Sequence, residues 1–239
     1  MELELNHFFN KSVYIYQCKH FVKVSMDTIL LSASVNLTFF KNKKINVLDV
    51  GSGIGGGDVL LAKRSELIDI TGIEIQNDLI DIANMNVKQN LMQDRINFIN
   101  QNIKDCKVLK KDGFNWVITN PPFHFGSTSP FFNKSLSYTE TSITLDDWIL
   151  FCIKNVRNLG YFSIIHKASR LDDIIFILKK IHCGNINIFP VFTKNSDLKA
   201  KRIIVTAQKG SKSETSLYKE ISKEKLQKIL QNPIDIYSN

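Results

Sequence analysis

Closely spaced cysteines are missing from this 239-residue sequence. Its four cysteines stand singly, with no Cys-x-x-Cys pair and no His-plus-Cys spacing that suits zinc; they are Cys18, Cys106, Cys152 and Cys183. We therefore expect reduced thiols in the core and no metal site.

Long apolar runs are also missing. No stretch approaches the roughly 20 apolar residues that a membrane-spanning helix needs. The N-terminus, MELELNHFFNKS, lacks the basic-then-apolar order of a signal peptide. We expect a cytoplasmic protein that has no membrane partner. Because no internal repeat or low-complexity tract appears, we also expect one compact domain and a monomer.

Acidic residues are fewer than basic ones. There are 31 Lys and Arg against 23 Asp and Glu, which gives a formal net charge of +8. A cationic protein suits a polyanionic partner, because each neutralised phosphate releases counterions. A general bias of composition toward Lys and Asn explains the charge equally well. With 44% hydrophobic residues the chain has enough apolar material for a packed core.

Short β-branched runs alternate with helical periodicity beyond residue 40, which predicts an α/β fold with a doubly wound, mostly parallel sheet. Seven strands are predicted, at 45–50, 69–75, 96–99, 114–119, 160–166, 186–192 and 201–208. The helices between them include one that starts at an Asn77 N-cap and one capped by Thr144. Residues 41–239 are the predicted domain. Residues 1–40 are expected to cover the substrate or cofactor, with a hairpin or irregular strand at 13–21 and a helix capped by Ser25 or Asp27.

A glycine loop, DVGSGIGGG, follows the first predicted strand. Glycines at a strand-to-helix turn let a ligand approach the backbone closely, so Gly51, Ser52, Gly53 and Gly55 are candidate cofactor-binding residues. Because Gly56 completes a Gly-x-Gly-x-x-Gly pattern, a dinucleotide and S-adenosylmethionine both remain candidate cofactors at this stage.

Two acidic residues lie near the loop; Asp49 favours S-adenosylmethionine, whereas the role expected of Glu74 suits either cofactor. Asp49 precedes the first glycine of the loop by two residues, where a carboxylate would repel a pyrophosphate but attract a sulfonium or ammonium. Glu74, at the end of the second strand with Ile75 beside it, can accept hydrogen bonds from ribose hydroxyls. The plain alternatives are a helix or turn cap for Asp49 and a structural role for Glu74.

The sequence NPPF ends the fourth strand. Proline fixes φ and restricts its predecessor, so Asn120, Pro121 and Pro122 should form a stiff turn with exposed carbonyl oxygens. The amide oxygen of Asn120 and the carbonyl of Pro121 can accept both hydrogens of a planar amine, while Phe123 stacks on the attached ring. Such acceptors aim the nitrogen lone pair at an electrophilic methyl, and no strong base is needed. The alternative is a double-proline turn that only terminates the strand.

Together, DVGSGIG, IE and NPPF resemble the class I methyltransferases that modify amines. Over roughly residues 7–212 the chain resembles, more narrowly, the bacterial tRNA adenine methyltransferases that act beside the anticodon of a valine tRNA. That likeness is carried by KVSMDTILLSA, DRINFINQNI, LDDWI, IIHKASRL and AKRIIVTAQKGS. It implies a Rossmann-like class I methyltransferase fold. It also implies contacts from Asn102, where the family usually has Asp, and from Ile103 to the cofactor's adenine.

Candidate substrate-binding residues lie in two further segments. The loop at 124–142, which carries His124 and Lys134, is predicted to be a substrate lid, with a plain surface loop as the alternative. Lys201 and Arg202, with Lys23, Lys167 and Lys199, are expected near the same sheet edge, although Arg202 can instead be a structural ion-pair partner.

The motifs leave the substrate open. Guanine in ribosomal RNA and a protein glutamine are alternative substrates, because methyltransferases that act on them have a similar NPPF. A cofactor-binding RNA chaperone and an NAD-dependent dehydrogenase are further alternatives from other classes.

Overall fold

The computed structural model describes residues 2–18, 23–41, 43–106, 109–122, 143–192 and 198–237. Ten strands and six α-helices lie in these ranges. The strands are β1 (Leu3–Phe8), β2 (Val13–Cys18), β3 (Ile45–Val50), β4 (Ile68–Glu74), β5 (Ile96–Asn100), β6 (Phe114–Thr119), β7 (Val156–Lys167), β8 (Cys183–Val191), β9 (Arg202–Lys209) and β10 (Ser216–Leu217). The helices are α1 (Met26–Ala33), α2 (Gly56–Ala62), α3 (Asn77–Gln89), α4 (Leu145–Asn155), α5 (Leu171–Lys180) and α6 (Lys223–Gln231).

The main sheet has the order β10-β8-β9-β7-β6-β3-β4-β5. All the pairs from β7 to β5 are parallel, and only β9 runs antiparallel to its neighbours. The predicted mostly parallel sheet is confirmed, and its seven predicted strands are all present. The eighth strand, β10, was not predicted, because two residues paired at a sheet edge show no apolar alternation.

Alternate residues of the central strands point into two separate cores. Val47 and Trp116 belong to a cluster that also contains residues of α1, α2, α3 and α6. Their neighbours Leu48 and Val117 belong to a second cluster with α4 and α5. Both faces of the central strands are therefore covered, which explains why these strands are apolar throughout instead of alternating.

The N-terminal segment consists of an antiparallel hairpin, β1–β2, and helix α1. The strand at 13–18 pairs with residues that precede it, a partner that the sequence did not reveal. Ser25 is the N-cap of α1 and accepts a hydrogen bond from the Thr28 N–H at 3.2 Å. Val13 and Ile15 are fully buried in the first core cluster, so the hairpin shares the core of the main sheet.

Two other helix starts were predicted with different success. Thr144 caps α4 and exchanges hydrogen bonds with Asp147, as predicted. The prediction for α3 was wrong by one position, since Asn77 is its first helical residue. Gln76 is the N-cap and makes no capping bond with its side chain.

Two asparagines on α3 hold the hairpin in place. The Asn86 side chain accepts from the Tyr16 N–H at 2.6 Å and donates to the Tyr16 carbonyl at 3.1 Å. One turn later, Asn90 makes the same pair of bonds with Tyr14. Asn86 also donates to the carbonyl of Ile54 in the glycine loop at 2.9 Å. These side-chain amides act as a neighbouring strand would, satisfying the free edge of β2.

We expect Asn86→Ala to lower the free energy of unfolding by about 3 kcal/mol, because Asn86 is fully buried and its loss leaves buried backbone groups unpaired. The matched control is Asn90→Ala, which removes the same pair of bonds at an exposed position and should cost about 1 kcal/mol. Urea unfolding of both variants measures the difference. Equal losses would show that burial of the Asn86 bonds adds nothing.

Candidate functional site

The carboxyl ends of four neighbouring strands form one edge of the sheet. In the parallel register, Val50 of β3 lies opposite Ile73 of β4 and Thr119 of β6. Glu74 at the end of β4 lies opposite Asn100 at the end of β5. The predicted glycine loop, the acidic end of β4 and the Asn-Pro-Pro turn after β6 are thereby brought to the same edge, where open α/β sheets bind their ligands.

The glycine loop turns sharply at the end of β3. The N–H groups of Gly51 and Ser52 both donate to the carbonyl of Ile73, at 2.9 and 3.0 Å. Gly51 has φ +82° and a Cβ there would lie 3.3 Å from the Trp148 ring. Gly55, the N-cap of α2, has φ +69° and sits against Phe98. Side chains at these two positions would strain the backbone and collide with an aromatic ring, so glycine is required for the turn itself.

Glu74 is bound to the loop it faces. Its carboxylate accepts from the Gly53 N–H at 3.0 Å and from the N–H groups of Ile75 and Gln76 at 2.8 and 3.0 Å. Burial raises the pKa of Glu74, while these three backbone donors oppose the rise. A carboxylate has about four acceptor positions. The backbone donors use three of them, and the Gln76 side chain also hydrogen-bonds to this carboxylate, so a ribose hydroxyl would take the place of that side chain.

Asp49 is buried in β3 and has a second carboxyl group as its neighbour. Asp58, in the first turn of α2, is fully buried and is the charged neighbour that acts most strongly on Asp49. Burial, with the negative charge of Asp58 and then of Glu74, raises the pKa of Asp49 well above its usual range. Burial raises the pKa of Asp58 to about 7. Asp58 escaped the sequence analysis because an acidic residue in a first helical turn is ordinarily explained by the helix dipole.

The polar atoms around this pair fit a cationic ligand. In the described part of the chain, one oxygen of Asp49, the hydroxyl of Ser52 and both oxygens of Asp58 are buried without a hydrogen-bond partner. Buried carboxylates need a compensating charge or proton. The ammonium and sulfonium of S-adenosylmethionine would supply that charge, whereas a pyrophosphate would add to the repulsion.

Three further candidate cofactor residues lie beside Glu74. Asn102 uses its side-chain oxygen to accept from the Lys104 N–H at 3.0 Å, closing its own turn. Ile103 is partly buried and packs against the second core cluster, and Ile75 is half-buried. Asn100, which the sequence analysis did not single out, donates to the carbonyls of Glu74 and Ile75 at 3.2 and 2.9 Å. It fixes the two strand ends together.

The turn after β6 is tied to the glycine loop. The Thr119 hydroxyl donates to the carbonyl of Val50 at 2.8 Å and accepts from the Trp148 indole N–H at 2.8 Å. Asn120 follows directly and is half-buried, Pro121 is buried and Pro122 is exposed. Trp148 was quoted in LDDWI without a role, because a tryptophan on an apolar helix face shows no sign of contacting two loops. Phe123, His124 and Lys134 lie outside the described residues.

Basic residues collect at the same edge on the far side of β6. Lys167 at the end of β7 pairs with Arg202 at the start of β9, and the Ala168 N–H donates to the Lys201 carbonyl at 3.1 Å. We call Lys167, Arg170, Lys199, Lys201 and Arg202 the basic cluster. Arg202 also forms an ion pair with Asp27 of α1 at 2.9 Å, so part of its charge is already compensated.

A buried histidine, His166, lies next to the basic cluster, and its pKa is affected by the positive charges there. His166 is 1% exposed and precedes Lys167 on β7. Burial lowers its pKa to about 4, and the positive charges of Arg170, Lys167 and Arg202 contribute. His166 is therefore neutral at pH 7 and adds no charge to the basic cluster above it.

The described ranges contain no group of three or more His, Cys, Asp or Glu side chains that is arranged to hold a metal ion. No helix within these ranges is both long enough and apolar enough to cross a bilayer.

Solved structures share the fold. A protein of Agrobacterium tumefaciens described as a predicted O-methyltransferase has a TM-score of 0.70 at 18% identity, and the match covers 87% of this chain and 97% of the other. An S-adenosylmethionine-dependent O-methyltransferase of Thermotoga maritima has a TM-score of 0.56 at 12% identity, covering 81% and 68%. At these identities the likeness concerns the fold alone.

Proteins of similar sequence indicate more specifically which methyltransferases this chain resembles. Residues 24–140 match the model of the methyltransferase small domain, a range that spans the glycine loop and the Asn-Pro-Pro turn. A tRNA1(Val) (adenine(37)-N6)-methyltransferase of Actinobacillus pleuropneumoniae is 26% identical over 82% of this chain and 80% of its own length. The protein of the same name from Mannheimia succiniciproducens is 30% identical over 65% and 63%. Together with the loop and edge geometry described above, these matches support a class I methyltransferase fold that uses S-adenosylmethionine.

Proposed function

We propose that the protein methylates the exocyclic amine of an adenine in tRNA, at the anticodon-loop adenine of a valine tRNA. The observation that carries the proposal is the Asn-Pro-Pro turn after β6, which is hydrogen-bonded through Thr119 to the glycine loop. The relatives named for tRNA1(Val) support the choice of substrate. An enzyme with this substrate would work in the cytoplasm.

The chain's own residues would act by orientation. Asn120 and the Pro121 carbonyl would accept the two amine hydrogens and aim the nitrogen lone pair, while Phe123 would stack on the base. S-adenosylmethionine supplies the electrophilic methyl. The nitrogen would gain its bond to the methyl as the methyl–sulfur bond breaks and a neutral thioether leaves, and the cationic nitrogen would then lose its proton to water. The rigid turn therefore replaces a strong base.

The cofactor would be held on the other side of the loop. Asp49 would face its cationic groups, and Gly51, Ser52, Gly53 and Gly55 would let it approach the backbone. Glu74 would accept from a ribose hydroxyl in place of the Gln76 side chain. Ile75, Asn102 and Ile103 would line the adenine end.

Phosphates of the RNA would contact the basic cluster. It lies on β7 and β9, the two strands next to β6 on the side away from β3, and is therefore separate from the acidic cofactor residues. Lys201 is exposed, whereas Arg202 is half-buried and paired with Asp27, so Lys201 is the more accessible to a phosphate. Lys134 and the segment at 124–142 would close over the base, as proposed from the sequence.

Asn120→Ala should lower methyl transfer to tRNA by roughly 10²- to 10³-fold, because it removes one of the two oriented acceptors. Binding of S-adenosylmethionine should be unchanged. Asn97→Ala is the matched control, since Asn97 is an exposed asparagine on β5, and it should keep full activity. Single-turnover methylation and calorimetry measure the two quantities. Near wild-type transfer by Asn120→Ala would refute the role of the turn.

Binding to tRNA should weaken steeply with salt, with a linear dependence of log affinity on log salt concentration. Lys201→Ala should reduce that slope by about 0.9, the value for one lost phosphate contact. Arg202→Ala should change the slope less and should lower the melting temperature, because it breaks the pair with Asp27. Fluorescence anisotropy across a salt series measures the slopes.

Lys63→Ala is the control for the salt series. Lys63 is exposed at the C-terminal end of α2, which runs back to the opposite edge of the sheet. It should leave the slope unchanged. A flat salt dependence for the unmodified protein would contradict the RNA substrate and would favour a protein glutamine. Methylation of 23S or 16S rRNA fragments in place of tRNA would favour the guanine alternative.

A further inference from the structure

The Asp49–Asp58 pair is the most unusual buried group in the described residues. Asp49 is 6% exposed and Asp58 is fully buried. A Cβ on Gly57, the residue before Asp58, would lie 3.9 Å from an Asp49 oxygen, which places the start of α2 directly against this carboxyl. Both oxygens of Asp58 and one of Asp49 have no donor besides the other carboxyl within the described ranges.

Among the described residues, none that acts on the pair carries a positive charge. Glu74 faces the pair from β4 and acts on Asp49 as a like charge. Cys152 faces it from α4, where burial and then Asp49 raise the pKa of the thiol, so that it stays neutral. From α1 the neighbour of Gly57 is Thr28, which does not titrate. Two ionised carboxylates in contact would repel each other strongly in this environment, so the pair is stable only if it holds a proton.

We propose that the Asp49–Asp58 pair holds one proton in the free protein and releases it when the cationic cofactor binds. The O–H bond between the two carboxyls breaks, the proton passes to solvent, and the positive charge of S-adenosylmethionine replaces it. The proposal rests on the assigned cofactor, and it adds Asp58 as a residue that positions and charges Asp49 without itself needing to touch the cofactor. Affinity for the cofactor is then linked to pH.

Asp58→Asn provides the test, because an asparagine amide can donate to Asp49 as the protonated partner does. In the unmodified protein, affinity for S-adenosylmethionine should rise about tenfold per pH unit below about pH 7 and level off above it. Binding near pH 6 should release about one proton, measured by calorimetry in two buffers of different ionisation enthalpy. Both effects should vanish in Asp58→Asn.

Two comparisons isolate the pair. The cofactor's own amino group titrates in both experiments and cancels in the difference between the variant and the unmodified protein. Asp69→Asn serves as the matched control, since Asp69 pairs with Lys44 at the opposite edge of the sheet, and it should keep the proton release. Equal proton release by the unmodified protein and Asp58→Asn would overturn the proposal.

A measurement without cofactor tests the shared proton separately. The pair's pKa values are raised above those of the unfolded chain, so the folded protein binds more protons than the unfolded chain between about pH 4 and pH 7. Stability from this source is fully present at the acidic end of that window and is lost as pH rises through it. The melting temperature of the unmodified protein should therefore fall as the pH rises from 5 to 8. The melting temperature of Asp58→Asn should fall by about 5 °C less over the same range.

The two measurements fail in different ways. Identical melting profiles for the unmodified protein and Asp58→Asn would refute the shared proton. If the melting profiles differ as expected but binding releases no proton, the pair shares a proton and only its release on cofactor binding is refuted. No binding of S-adenosylmethionine at any pH would instead overturn the cofactor assignment, while the melting profiles would still report on the pair.

Discussion

Burial of a carboxyl group at the end of β3 is the constraint on which the ligand-binding edge depends. Asp49 lies in the middle of the sheet, between β4 and β6, where little of it is exposed to water. Such a group must be protonated, paired or matched by a bound cation. In the described residues it is paired with another acid, Asp58, and not with a base. The edge therefore favours the binding of a positive charge, and the buried acidic pair lowers the folding stability of the free protein.

Hydrogen bonds join the segment that follows this carboxyl to the neighbouring strands on both sides. Glu74 holds the Gly53 N–H on the β4 side, and Thr119 holds the Val50 carbonyl on the β6 side. Trp148 closes the arrangement by donating to Thr119 while its ring covers Gly51. A displacement of the glycine loop would break contacts on both sides at once. The cofactor residues and the acceptor turn are for this reason fixed relative to each other by the fold.

Sequence patterns predicted the strands well because each is a short apolar run closed by a turn. The same patterns predicted the glycine loop, Glu74 and the Asn-Pro-Pro turn, since each lies at the end of such a run. They missed contacts made between distant elements. Asp58, Trp148 and Asn86 each occupy ordinary helical positions, and only the packed structure places them against Asp49, Thr119 and the hairpin. Helix periodicity predicts which face of a helix is buried, but it does not predict which polar atoms that face contacts.

The order of the sheet separates the acidic residues from the basic cluster. In the proposed function, a cationic cofactor would lie at β3 and β4, beside the acidic side chains, and a polyanion would lie at β7 and β9, beside the basic cluster. The turn after β6 lies between them. Were the basic cluster next to Asp49, it would neutralise the carboxyl and remove the attraction for the cofactor. Because one strand stands between the two regions, each keeps its own potential, and His166 stays neutral beneath the cluster instead of joining it. The reacting nitrogen would then sit at the boundary, with the phosphates drawn to one side and the methyl donor to the other.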